Sequence, residues 1–207
     1  MSKAKVKFDK TIARCDEMVC LYKQLKESGE TPSQDILRGA IVLSVAAFDA
    51  YATDCFSEHF ISYIKTHSIT DEIVRLLTDA GLDLKFSLEL INSERPYRKI
   101  RTLIDRYYAK YTTQDMKVVD NLFKLYGLKH ITKDAAKMTK KSEDAFIKSI
   151  NKLIERRHSI VHDGDYNEHG KIKQVKETDL NRIKNLRELV NNMEIIINNR
   201  FHQTSSS

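Results

Sequence analysis

Apolar residues recur every three or four positions along almost the whole chain, which is the spacing of amphipathic α-helices. The first such segment runs from about residue 6 to residue 27 and ends before Gly29. The second follows Thr31-Pro32-Ser33-Gln34, with Thr31 as the expected N-cap and Gln34 completing a capping box, and reaches about His67. Its middle is apolar on nearly every side, so we expect this helix to be enclosed by the others.

Shorter helices are expected next, delimited by their own start and stop signals. They cover about residues 70–80, 84–91, 96–111 and 115–126, with a turn or two capped by Thr132. A longer helix is predicted from Ser142 to Asp163, and a last one from Thr178 to about Arg200. Residues 165–177 form a polar loop with a small hairpin at His169-Gly170. No alternating segment is long enough for a sheet, so the sequence predicts one all-α domain over residues 1–202 and a disordered tail at 203–207.

Composition narrows the class of protein. The 207 residues are 41% hydrophobic and 31% charged, which suits a helical domain with a real core rather than a disordered chain. The formal net charge of +6 favours an anionic partner such as nucleic acid. Three cysteines without a Cys-x-x-Cys pair indicate a reduced, cytoplasmic setting. The longest apolar run, residues 36–52, contains three polar residues, so it predicts a buried helix and no membrane contact.

One cation interrupts the apolar face of the helix predicted from Ser142. With Ile150 at the centre of that face, Arg157 falls at about −20° on the helical wheel, while His158 and His162 lie near 80° and 120°, at its edge. A guanidinium cannot lose its charge, and burying it unpaired is very costly. Either a partner neutralises Arg157, or this face opens onto a cleft or a second subunit.

The string Arg157-His158-Ser159-Ile160-Val161-His162, followed by Asp163-Gly164, resembles the signature of HEPN domains and in particular their RiboL-PSP-type branch. The resemblance implies a HEPN-like helical bundle, here with additional short helices between the second long helix and the motif helix. It also implies a metal-independent endoribonuclease without a cofactor. Such domains pair as homodimers, so that two motifs share a composite active site. They resemble toxins or antiviral effectors, which implies an antitoxin or other regulatory protein.

Carried over by position, His162 is the catalytic imidazole, Arg157 the phosphate-facing cation and His158 the polar residue after the arginine. Cleavage of RNA by its own 2′-hydroxyl needs a base and an acid, and imidazole can serve as either. A guanidinium can bind the phosphate in fork geometry and stabilise its developing charge. The expected products are a 2′,3′-cyclic phosphate and a 5′-hydroxyl.

Other interpretations of the same residues stay open. Arg157 can be a structural arginine paired with a buried carboxylate, and His162 a residue favoured by the helix dipole. A catalytically inactive HEPN-like module would bind RNA, a nucleotide or a partner protein. Glu155, His158 and His162 have a spacing that could hold a metal, although no second Glu-x-x-His occurs.

Asp49 is a carboxylate in the apolar middle of the second helix, where it needs a cationic partner. We expect that partner to be Arg157 or Arg38, with Asp49 orienting the catalytic cation; simple structural pairing fits equally well.

Two further segments could contact RNA. Basic residues alternate with tyrosines over residues 95–111, a pattern that suits phosphates and unpaired bases, and Arg98, Lys99 and Arg101 are the candidates there. An ordinary helix with solvated cations and half-buried tyrosines explains the same pattern. Lys171 and Lys173 are candidates in the loop after the motif, because chain order places them near His162.

Overall fold

The computed structural model describes residues 1–110 and 115–203, and their side chains up to residue 201. Within these residues the chain forms nine α-helices and no strand. The helices are α1 (Lys3–Glu27), α2 (Asp35–Thr66), α3 (Asp71–Asp79), α4 (Leu84–Ile91), α5 (Pro96–Tyr108), α6 (Met116–Lys124), α7 (Ile131–Lys137), α8 (Glu143–His162) and α9 (Glu177–Gln203). The prediction of an all-α fold is confirmed.

Helix α2 lies at the centre of the molecule, as its apolar composition predicts. It packs against α1 along much of its length and also contacts α5, α6, α8 and α9. By length and composition alone it could cross a membrane, but 56% of its most apolar stretch is buried inside the molecule. Apolar residues on all sides are therefore explained by neighbouring helices.

Helix α9 runs beside α2 in the same direction. The Val175 backbone N–H, just before α9, donates to the side-chain oxygen of Gln34 at 2.9 Å. Farther along both helices, Tyr51 donates from its hydroxyl to the buried carboxylate of Glu194 at 3.1 Å.

Helix α8 runs back along α9. Asn185 donates to Ser149 at 2.7 Å, and Lys141, just before α8, donates to Asn185 at 2.5 Å and lies 3.4 Å from Glu188. The C-terminal end of α8, with the motif, therefore lies at the end of the bundle where α2 begins.

The other half of α2 is covered by the short helices between α2 and α8. Tyr126 stacks on Phe56 with ring centroids 5.0 Å apart and donates its hydroxyl proton to the Phe56 carbonyl at 2.7 Å. The surrounding aromatic cluster also includes Phe60, Tyr63, Tyr108 and Phe123. Helix α4 stands apart from this core, since none of its side chains is buried.

Three predicted helix starts differ from the structure, and at two of them a group of the expected capping residue has a tertiary partner. Helix α2 begins at Asp35 rather than after Thr31, and Gln34 bonds to the α9 side of the bundle instead of closing a capping box. Thr132 does not cap α7, because it lies buried inside that helix and its N–H donates to Asp120 at 2.9 Å. Helix α9 begins one residue before Thr178.

Other predicted signals are confirmed. The hydroxyl of Thr70 accepts a hydrogen bond from Ile73 at the start of α3, and Pro96 is the first residue of α5. The predicted hairpin consists of one isolated antiparallel bridge, between Tyr166 and Ile172. Helix α9 still includes Gln203, the first residue of the predicted tail, so that start is one residue early. The other tail residues, 204–207, lie outside the described part of the chain.

Candidate active site

The apolar face of α8 leaves the core before the helix ends. Phe146, Ile150 and Leu153 are fully buried in the core. Ile154, directly after Leu153, and Ile160, two turns beyond Leu153, are only half-buried, and Val161 is 48% exposed. The apolar arc predicted from the sequence therefore starts in the core and finishes at the surface.

The three motif residues lie at this surface end. Arg157 is half-buried, whereas His158 and His162 are exposed. The two imidazole rings lie one helical turn apart with centroids at 4.4 Å. A cation and two titratable rings thus meet beside an apolar surface that solvent or another molecule can reach.

The turn after α8 is fixed by a buried carboxylate. Asp165 is fully buried, and its backbone has a φ of 64°, in the left-handed region. Both of its carboxylate oxygens lie 2.8 Å from the guanidinium of Arg156. Arg38, from the first turn of α2, donates from Nε to Asp165 Oδ2 at 2.8 Å. Two cations share one anion, which fastens the end of α8 to the start of α2.

Backbone carbonyls complete this cluster. The Lys173 carbonyl accepts from Arg38 at 2.6 Å and from Arg156 at 3.2 Å. The hairpin segment is therefore bound to the same two guanidinium groups. Burial disfavours the charge of Arg38, but its hydrogen bonds to Asp165 and Asp35 outweigh that effect and raise its pKa above the ordinary value. Arg38 therefore stays charged, and its contacts fasten the end of the motif helix to α2.

Comparison with known proteins agrees with this architecture. A family model described as RiboL-PSP-HEPN matches residues 9–199. The chain belongs to this family. No curated protein and no solved structure matches the chain significantly. The family match extends over the short helices between α2 and α8. HEPN domains are RNA-related modules that commonly dimerise.

The structure distinguishes two adjacent arginines in this HEPN chain. Arg157 precedes His162 by five positions and Arg156 by six, so the two arginines are nearly equivalent in sequence. The sequence interpretation selects Arg157. Arg156 is committed to Asp165 and is only 12% exposed in its side chain. Arg157 follows about 100° around the helix and is half-buried on the arc that reaches the surface.

The loop after the motif brings one of the two predicted lysines back to α8. Lys173 donates from Nζ to the hydroxyl of Ser159 at 2.9 Å. Ser159 precedes His162 by three residues, so the two are neighbours on the helix surface. Lys171 is exposed on the hairpin, and only its backbone makes a described hydrogen bond, to Asn167. Lys173 is therefore positioned beside the motif, and Lys171 is not.

Asp49 does not pair with Arg38, because the ion pairs of Arg38 go to Asp35 and Asp165. At 1.5 Å per residue, Asp49 lies about 16 Å farther along α2 than Arg38. The buried carboxylate at this end of the bundle is Asp165, which sequence reasoning missed. Two features of the sequence could have indicated it: Arg38 lies in an apolar run and needs an anionic partner, and Asp-Gly-Asp follows the motif. The pairing of Asp49 with Arg157 stays a prediction.

The basic residues predicted on α5 lie at the other end of α2. Lys65, at the end of α2, stands 4.2 Å over the ring of Tyr97, at the start of α5. Lys65 is twenty-seven residues beyond Arg38, which at 1.5 Å per residue is about 40 Å. Arg98, Lys99 and Arg101 are all exposed, but within one protomer they do not join the motif.

Exposed apolar side chains lie at the end of α8 and on the hairpin that follows the motif. Tyr166 and Ile172, paired across the hairpin, are 52% and 51% exposed, and Val161 of α8 is 48% exposed. Three large apolar groups from two adjacent segments are thus accessible beside the histidines. Such a group is typical of a surface that contacts another molecule.

Residues 1–110 and 115–203 contain no cluster of three or more His, Cys, Asp or Glu side chains arranged to hold a metal ion. Glu155 is exposed, and the rings of the two histidines lie 4.4 Å apart and are tilted by 35°. The metal site that the Glu155, His158 and His162 spacing allows thus gains no support from the described geometry.

Proposed function

We propose that this HEPN chain is a metal-independent endoribonuclease whose active site comprises Arg157, His158 and His162. The observation that carries the proposal is the accessible pair of imidazoles beside Arg157 at the end of a rigidly fastened helix. A buried Arg157 sealed away from solvent would have left only a structural role for the motif.

The reaction needs two proton transfers and no redox partner. A base takes the proton from the ribose 2′-hydroxyl, the 2′-oxygen attacks the adjacent phosphorus, and the P–O5′ bond breaks. An acid gives a proton to the departing 5′-oxygen, which leaves a 2′,3′-cyclic phosphate and a 5′-hydroxyl. His162 serves in these proton transfers, since imidazole can act as base or acid near neutrality. Arg157 binds the phosphate oxygens and stabilises their growing charge.

Lys173 is a second cation for the same phosphate. Its ammonium group is held by Ser159, on the helical turn that leads to His162. A preorganised charge at that position stabilises the transition state without having to be ordered during the reaction.

The active enzyme in this proposal is a homodimer with a composite site. A single protomer presents His162 at an edge rather than within a closed cleft. Joining two copies through Val161, Tyr166 and Ile172 would cover the exposed apolar groups and bring two motifs together. One imidazole could then act as base and its twin as acid.

Toxin or defence activity in the cytoplasm, restrained by an antitoxin or another regulatory protein, belongs to the same proposal. This part rests on the family alone. A regulatory partner is expected because an unrestrained ribonuclease would damage its own cell. The second candidate, an inactive HEPN module, differs from the first in one measurable property, which is RNA cleavage.

The direct test is incubation of the purified chain with single-stranded RNA in EDTA. We expect cleavage that leaves cyclic phosphate termini and that His162→Ala reduces by about a hundredfold or more, the usual contribution of a catalytic acid or base. His169→Ala is the matched control, because His169 is also exposed but lies at the hairpin tip. Binding of RNA without cleavage would identify the inactive module, and equal loss in both variants would contradict the assigned role of His162.

A further inference from the structure

A cleft between α4 and α5 lies far from the motif. It has a volume of about 650 Å³ and is open to solvent. Phe86 and Leu103, both half-buried, contribute apolar surface, and Asn92 and Ser93 close one end with polar groups. No part of the proposed active site uses this cleft, because α5 packs on the opposite half of α2.

One wall of the cleft is a stripe of cations along α5. Four basic residues line it, at spacings that place them on one face of the helix: Arg95, Arg98, Lys99 and Arg106. All four are exposed, and within residues 1–110 and 115–203 none has a side-chain ion pair or hydrogen bond. The stripe extends over eleven residues, about 16 Å of helix. Repulsion among neighbouring cations costs stability, so an unpaired row suits a polyanion.

The predicted candidate Arg101 does not belong to this stripe. It lies outside the cleft lining and is 3.8 Å from Asp105, its neighbour one turn along the helix. Of the three candidates predicted on α5, Arg98 and Lys99 therefore line the cleft, and Arg101 does not.

The opposite side of the cleft has different chemistry. Glu89 of α4 and Glu94 of the connecting turn also line it, together with the ring of Phe86. A ligand that is anionic throughout, such as an acidic peptide, would be repelled by these carboxylates. A single nucleic-acid strand has one anionic edge, its phosphates, and one edge of aromatic bases with N–H donors. The first matches α5, and the second matches α4.

We propose that the α4–α5 cleft is a second, non-catalytic binding site for single-stranded RNA. The phosphates lie along the α5 stripe, and the bases face Phe86 and Glu89. Binding there does not depend on cleavage at the motif.

One consequence rests on the proposed nuclease function. The far end of the cleft, where Tyr97 meets Lys65, and the motif of one protomer are about 40 Å apart along α2. At about 3.4 Å per nucleotide in a stacked strand, a substrate needs about twelve nucleotides to reach from the motif to that end of the cleft. Longer RNA is then bound at the cleft while it is cut at the motif, and shorter RNA is not.

The test measures binding in the full-length His162→Ala chain, so that turnover plays no part. The probe is an unstructured, fluorescently labelled RNA of about twelve nucleotides, followed by anisotropy at several salt concentrations. The cleft variant carries Arg98→Gln, Lys99→Gln and Arg106→Gln. The matched control carries Arg75→Gln, Arg101→Gln and Lys110→Gln, which removes the same kinds of charge from exposed positions outside the cleft. Neither variant should have a lower thermal midpoint than the parent, because the cleft residues have no described side-chain partner and the control loses only the exposed pair of Arg101 with Asp105.

We expect the cleft variant to bind the RNA at least about tenfold more weakly than the parent. The slope of log K against log salt should become shallower by about 2, because each of the three lost phosphate contacts contributes about 0.7. The control should stay within about twofold of the parent. Unchanged binding in the cleft variant, or equal weakening in both variants, would overturn the proposal, as would equal binding of a polyglutamate of similar length. Cleavage of RNA in EDTA by the unmodified chain is scored separately, so a failed cleft and a failed nuclease give different results.

Discussion

At the scale of single residues, the two adjacent arginines of α8 have separate tasks. Arg156 completes a buried cluster with Asp165 and Arg38, whereas Arg157 lies half-buried at the surface end of the helix. This difference depends on the charge of Asp165. Without it, the two guanidinium groups, whose side chains are only 11–12% exposed, would lose the carboxylate that they share.

Replacing Asp165 with Asn tests the role of that charge. Asn has a similar size and tolerates positive φ, so the change removes the charge with little strain in the backbone. We expect the free energy of unfolding to fall by about 3 kcal/mol, because two buried cations lose their counter-ion. Urea denaturation measures the loss. The exposed neighbour Asp163→Asn should stay within about 0.5 kcal/mol, and an equally stable Asp165→Asn would contradict the structural role.

Replacing Lys173 with Met tests its role as a second cation. The stem is kept and the charge is lost, so the cleavage rate should fall by about tenfold, the effect of losing about 1.4 kcal/mol of transition-state stabilisation. Its stability should change little. Lys171→Met, two residues away with an exposed side chain, should cleave normally. Equal rates for the two variants would remove Lys173 from the active site.

At the scale of the elements, local signals sufficed for much of the fold. Helix α8 was predicted from its apolar spacing, with the motif at its C-terminal end, and α3 and α5 were predicted from Thr70 and Pro96. What could not be predicted depends on long-range partners. Asp165 bonds to Arg38 across 127 residues of chain, and no helical pattern reports such a contact.

The starts of α2 and α7 failed for the same reason. Gln34 and Thr132 have the chemistry of capping residues, but each is bonded to a distant part of the chain instead. Gln34 accepts from Val175, just before α9, and Thr132 donates to Asp120 of α6. The two-sided cleft between α4 and α5 could not be predicted either, because it depends on how α4, which lies outside the main core, meets α5.

The hairpin and the end of α8 should form the dimer surface. Val161→Asp combined with Ile172→Asp places two charges where apolar side chains would be covered, and we expect the dimer to weaken by at least about tenfold. Sedimentation velocity over a range of concentrations measures this change. Val74→Asp, on a residue of α3 that is 49% exposed, is the control and should leave association unchanged. A double variant that stays dimeric would move the interface elsewhere.

At the scale of the whole molecule, the packing of α1 and α2 controls the chemistry of the thiols. Cys15 and Cys55 are buried, and Cys20 is exposed. Burial, aided by the nearby carboxylate of Asp16, raises the pKa of Cys15 to about 11, and burial also raises the pKa of Cys55. Both thiols therefore stay protonated and inaccessible near pH 8.

A thiol-reactive chromogenic disulfide should detect this difference. We expect one thiol per chain to react quickly at pH 8 in the native protein, and all three after denaturation, because only the thiolate attacks. Cys20→Ser should abolish the fast reaction. Three fast thiols in the native chain would show that the bundle does not enclose α2 as described.

The two ends of α2 have different tasks in this account. The end at Arg38 fastens the motif helix, and the end at Lys65 supports the helix that carries the cationic stripe. In the two proposals, RNA is cut at the first end and held at the second, and only the first requires a 2′-hydroxyl.

The most direct measurement of the central claim uses a DNA oligonucleotide that contains one ribonucleotide. Attack by a 2′-hydroxyl confines cleavage to the bond that follows that ribonucleotide, in EDTA. The account predicts one cut, a cyclic phosphate on the upstream fragment and a 5′-hydroxyl on the downstream one, with no cleavage of the all-DNA strand. Cleavage at deoxyribonucleotides, or a 5′-phosphate on the downstream fragment, would contradict it.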